Sequence, residues 1–208
     1  METLEKTKDK PILVEIAGKL VEAQQELDEL VIQFALGKAE AKDKFEEIKS
    51  DFRTRMNEWK ASSLSGKLAS VTLELRNRFE DLEAKLTSGG KITTREAFEE
   101  QKSKIEESLE KLRTEIQTRL ADAIDVAYFE HELEKFKLKL EILRLRFVLK
   151  NFEVKEAFED GMKSARKKIT QTVNSVREKL NPEKSDYDDF KKEIKEVYDH
   201  LKKAVKAL

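Results

Sequence analysis

"KFKLKLEILRLRFVLK", residues 135–150, decides the fold. Charged and apolar side chains alternate as on a half-exposed β-strand, while the run of bases suggests a helix lying on a membrane surface. At about 100° per residue, Phe136, Leu140, Leu143 and Phe147 form one stripe of a helix, and Leu138, Ile142, Leu145 and Leu149 a second nearly opposite. The Ile142-Leu143 doublet breaks a period of two. An interfacial helix needs one apolar and one charged face, so two opposed apolar stripes call instead for packing on both sides. The spacing predicts a helix sandwiched inside the protein.

The same register occurs elsewhere. Ile16, Leu20, Ala23, Leu27, Leu30 and Phe34 keep the 4-3-4-3-4 spacing of Phe129, Leu133, Phe136, Leu140, Leu143 and Phe147, 113 residues later. The match continues past a turn, with Leu36, Glu40, Lys42, Phe45, Glu46 and Arg53 repeated as Leu149, Glu153, Lys155, Phe158, Glu159 and Arg166. Residues 11–61 and 124–180 are therefore internal repeats, with 66–121 a related hairpin and 185–207 a last helix. In the earlier copy Gln25 and Glu29 replace Leu138 and Ile142, which narrows its apolar face and places it nearer the edge. Each repeat reads as an αα-hairpin in which Phe45, Phe98 or Phe158 locks the second helix against the first.

The breaks are few. Pro11 suits a first helical turn, Gly37 a C′ position, "SSLSG" (62–66) a flexible joint, and "TSGGK" (87–91) and "NPEKS" (181–185) helix ends. Thr93 and Glu96 are spaced as a capping box. Seven helices follow, over 11–36, 39–61, 66–87, 93–121, 124–150, 153–180 and 185–207. No Gly or Pro marks the joint near 122, which leaves one continuous rod over 93–150 as the alternative. Tyr187, Phe190, Ile194, Val197, Leu201, Ala204 and Leu208 form a strict heptad, whereas Phe158, Met162, Ala165, Ile169, Val173, Val176 and Leu180 drift to a longer period. The fold class expected is all-α: a single helical-bundle domain over 11–208, built of antiparallel hairpins with coiled-coil-like packing, behind a flexible N-terminus over 1–10.

Composition agrees. Charged residues are 41 % of the 208-residue chain, with 6 Gly and 2 Pro, a balance that favours helix over strands and tight turns. Lys plus Arg (42) nearly cancels Asp plus Glu (43), so a charge-driven partner must use a local patch. The absence of Cys removes disulfides and thiolate chemistry. The start, "METLEKTKDK", has no apolar signal core, and no stretch resembles a transmembrane segment, so a cytoplasmic setting is expected.

Chemical motifs are sparse. His131 and His200 both lack a Glu three residues earlier, the pattern of di-iron bundles, and read as surface residues. "GGKITT" lacks the first Gly and the Ser or Thr of a phosphate loop, with Lys85 and Ile92 in those places. No nucleophile motif or Gly-rich cofactor loop is present, so neither an enzyme nor a bound cofactor is expected.

One asymmetry remains: 162–179 carries six bases and one acid, while 183–200 is acidic. Folded together these make an internal complementary pair. Exposed, Lys163, Arg166, Lys167, Lys168 and Arg177 would contact an anionic surface, phospholipid before nucleic acid. Trp59, beside the Ser-rich joint, is either a partner contact or a core residue at a hairpin end. The leading expectation is a non-catalytic interaction or scaffold protein that binds a protein partner or itself. The alternatives are a reversible lipid-surface protein using the basic strip, and an acid-only metal-binding bundle.

Overall fold

The structure is a computed structural model that describes residues 6–35, 41–64, 73–88, 92, 94–120, 125–148, 156–178 and 184–206. Seven helices account for nearly all of these: α1 (Lys6–Ala35), α2 (Ala41–Leu64), α3 (Leu73–Thr87), α4 (Arg95–Leu120), α5 (Asp125–Val148), α6 (Glu156–Glu178) and α7 (Lys184–Lys206). Side chains are described for 17–33 of α1, 160–174 of α6 and 192–205 of α7. The chain is an all-α helical bundle protein.

Several boundaries differ from expectation. Helix α1 begins at Lys6, so residues 6–10, expected to be flexible, are helical and Pro11 stands in the second turn, where it forgoes one backbone bond. Helix α2 runs on through Ser62 and Ser63 to Leu64, taking in the first half of the expected joint. Gly37 and Thr93 lie outside the described residues. The cap of α4 is Thr94, one residue past the expected position: its Oγ1 accepts the Ala97 amide at 3.2 Å and its carbonyl accepts the Phe98 amide. That one-residue shift puts Ala97 at N3, so no reciprocal carboxylate completes a box.

The helices group into two compact units, one of Met1–Ala35 with Glu153–Leu208 and the other Leu36–Phe152. The second holds α2 to α5 in a ring of contacts, α2 on α3, α3 on α4, α4 on α5 and α5 on α2. Helix α5 runs opposite to both its neighbours. Against α2, Phe136 stacks on Phe52 with centroids 4.2 Å apart and Phe129 meets Trp59 at 5.4 Å. Against α4, Phe147 stacks on Phe98 at 4.9 Å, Glu141 pairs with Lys102 at 2.7 Å and Glu130 with Arg113 at 2.9 Å. The rod over 93–150 is therefore ruled out: α4 and α5 double back on each other.

Both stripes of α5 are buried over residues 136–143, while Leu145 and Phe147 beyond them are half-buried. Phe136, Leu140 and Leu143 on one, and Leu138 and Ile142 on the other, are at most 2 % exposed. Burying such a side chain stabilises by roughly 1.5–3 kcal/mol, so α5 is the most heavily invested helix of the unit. Its duplicate α1 buries Leu20, Ala23, Leu27 and Leu30, but Gln25 and Glu29 are exposed, as the narrower stripe predicts.

The other unit holds α1, α6 and α7, with α6 touching both of the others. Helices α6 and α7 run antiparallel: Ser164 bonds His200 at 3.1 Å and Lys168 pairs with Glu196 at 2.6 Å. A Cβ on Gly161 would lie 2.6 Å from the Cβ and 2.7 Å from the Cα of Ala204. A glycine inside a helix costs about 1 kcal/mol relative to alanine, and here it is what allows the two backbones to approach. In α6 the buried positions are Met162, Ala165, Ile169 and Thr172, which keeps the heptad where a drift towards Val173 was expected.

Within each unit the pairing crosses the repeats. Copy one is α1 with α2 and copy two α5 with α6, yet within the units α1 packs on α6 and α2 on α5. Each first helix takes the other copy's second helix. Phe45 and Phe98, expected as hairpin locks, instead meet each other edge to face at 5.3 Å, at one end of the α2–α5 ring. The side chain of Phe158 lies outside the described residues.

Candidate functional site

Two places concentrate polar chemistry. One lies along α5 where the second apolar stripe is continued towards its start. His131, Lys135, Leu138 and Ile142 follow the same 4-3-4 spacing, and all four are buried. His131, expected at the surface, is thus fully buried: the stripe that buries Leu138 extends to it. The signal was in the spacing, masked by its polar residue types.

Around it stands a buried charge cluster. Glu132, with no exposed side-chain surface, takes Lys135 at 3.1 Å and Arg55 of α2 at 3.4 Å, with His131 Nε2 at 3.5 Å from its other oxygen. Tyr128 joins through Arg55: burial and the Glu132 carboxylate push its phenol above the ordinary range, against the pull of the Arg55 guanidinium. A carboxylate held between two cations is the arrangement that keeps buried charge tolerable, and it fixes α5 against α2 at one register.

A second cross-helix pair ties α4 to α5. Burial disfavours the charged form of Lys102, but hydrogen bonds to Glu141 and Glu106 overcome it and hold its pKa above the ordinary 10.5. Burial likewise opposes ionisation of Glu141, and Lys102 with Arg144 hold it below the ordinary 4.5. The stabilisation from Glu141 is therefore full above its unfolded value and lost as pH falls through the depressed folded one; that from Lys102 is full below its unfolded value and lost as pH rises through the raised one. The thermal midpoint is expected to stay level between about pH 5 and 10 and to fall on both sides. A pH series of melts checks this, and Glu141→Gln should flatten the acid limb.

The second place is the α6–α7 surface, where the expected basic strip divides. Arg166 turns to Asp28 of α1 at 2.5 Å, and Lys168 to Glu196 of α7, whose carboxyl that bond holds below the usual range. These two serve internal pairing, the complementary-helix reading. Lys163 and Lys167 are exposed, the former 3.1 Å from Asp160; the Arg177 side chain lies outside the described residues. Sequence reasoning missed their neighbours on α7. Lys192, Lys195, Asp199 and Lys203 recur at helical spacing and all are exposed, although this segment read as acidic. Its acid Glu196 points to α6, which leaves lysines outward.

Trp59 is 2 % exposed, between Phe79 at 5.9 Å and Phe129 at 5.4 Å, with Lys60 over the Phe79 ring. It is a core side chain of the α2–α5 ring. Among the described residues, no group of three or more His, Asp or Glu converges as metal ligands, and no helix is long and apolar enough to cross a membrane. The class these features define is an all-α bundle with charge pairs locked between helices. No family model, curated protein or solved structure matches the chain.

Proposed function

We propose that the chain is a non-catalytic helical-bundle protein that works by interaction, with the outer face of α6 and α7 as its contact surface. The observation that carries this reading is the division of the basic residues: Arg166 and Lys168 join helices internally, while Lys163, Lys167, Lys192, Lys195 and Lys203 face solvent. Titratable groups of the kinds used in general acid–base work, His131, Glu132 and Lys135, are spent on the α2–α5 contact, which supports a structural role for them. An excess of exposed bases over exposed acids among the described residues of adjoining helices gives a partner a field to follow and a surface to meet.

Lysine footprinting tests this whatever the partner is. The purified protein is acetylated with and without a cell lysate from which membranes have not been removed, and modified peptides are quantified. Protection concentrated on these five lysines is the expected result. Protection spread evenly over these and the other exposed lysines, such as Lys60, Lys104 and Lys111, or none at all, would sink the reading.

A further inference from the structure

Resting on the interaction reading above, we propose that the outer face of the α6–α7 pair docks on an anionic phospholipid surface. The two helices run antiparallel side by side, so their outward faces form one shallow layer. On it Lys163 and Lys167 stand one turn apart on α6, and Lys192, Lys195 and Lys203 span about 16 Å of α7. Among the described residues, the exposed acids on this face are Asp160, which pairs with Lys163, and Asp199, so that among them positive charge is in excess.

The type of base selects the partner. Lysine ammonium groups are hydrated point charges that act through their summed field, whereas arginine forks single out individual phosphates and base edges. Arg166 is paired with Asp28, and Tyr198, the aromatic side chain described on these two helices, is buried, so among the described side chains neither a free arginine fork nor an exposed ring for base stacking is offered. Spread lysines on a level layer suit a plane of anionic headgroups. Met162, Ile169, Val197 and Leu201 stay buried, so the contact is made by charge from outside and not by insertion.

Co-sedimentation with phosphatidylcholine vesicles, with and without phosphatidylserine, is the test. Binding is expected only with phosphatidylserine, and it should vanish towards 1 M salt, where the screening length is about 3 Å. Each net charge brought to such a surface multiplies partitioning about fivefold, so replacing all five lysines by Gln should lower it by roughly 3,000-fold, to background, while the melt stays unchanged. If that variant does not fold, the salt and lipid dependence of the native chain decides alone. Equal binding to neutral vesicles, salt-resistant binding, no binding, or retention on an oligonucleotide at salt that releases vesicles would each overturn the proposal. Lysate protection that persists without vesicle binding would remove the lipid while leaving the interaction reading intact.

Discussion

Replacing Trp59 by Ala is expected to destabilise the α2–α5 unit by about 3–5 kcal/mol, the cost of emptying a large aromatic site in a packed interior. The ring sits where three helices converge, with Phe79 of α3 on one side and Phe129 of α5 on the other, and edge or tilted aromatic contacts add to simple burial. The contact of α2 with α3 is the more vulnerable one. Apart from Trp59 it rests on a groove lined by Met56, Lys60, Phe79, Leu82 and Leu86. Urea unfolding followed by far-UV circular dichroism should show a lowered midpoint, partly recovered in Trp59→Phe. An unchanged midpoint would mean that the indole is not packed as described.

The second large effect is expected from Glu132→Gln. It keeps shape and hydrogen-bonding capacity but removes the anion that Arg55 and Lys135 share, and breaking a buried ion cluster from one side costs about 3–5 kcal/mol. Trp59 is the one tryptophan of the chain, so its fluorescence reports unfolding of this unit specifically. The substitution should also bring the Tyr128 phenol down towards its ordinary range, because the Glu132 carboxylate helps to push it up. A spectroscopic tyrosine titration reads that shift independently of stability. Equal stability with an unmoved titration would show that the cluster is not formed.

How far the sequence discloses this fold can be judged from particular residues. Leu138 and Ile142 against Gln25 and Glu29 disclose that α5 is buried on two stripes and α1 on one, because a helix buries the faces on which apolar spacing recurs. The joint between α4 and α5 is less readable: no Gly or Pro marks it, so the pattern leaves a continuous rod open, and the cross-helix pairs of Lys102 with Glu141 and Arg113 with Glu130 decide it. The pairing across repeats is not readable. Duplication gave α1 and α5 the same main stripe, and α2 and α6 equivalent ones, so apolar spacing alone fits either exchange of partners equally well.

The charge clusters were hidden for a different reason. Periodicity arguments weigh apolar residues, and His131, Glu132 and Lys135 enter the interior only because each supplies the others' counter-charge. On α6 and α7 the strip was visible, but its division into inward and outward members depends on which acid each base can reach. Lys168 reaches Glu196 and Arg166 reaches Asp28 only once the helices are side by side.

The exchange of partners between copies also sets an order of events during synthesis. Residues 36–152 form their unit from one uninterrupted stretch and can close as soon as α5 has left the ribosome. Helix α1 must wait for α6, more than a hundred residues later, before its packing partner within the unit exists. Until then the apolar stripe of α1 lacks the helix that covers it in its unit and is exposed to any nascent-chain chaperone within reach.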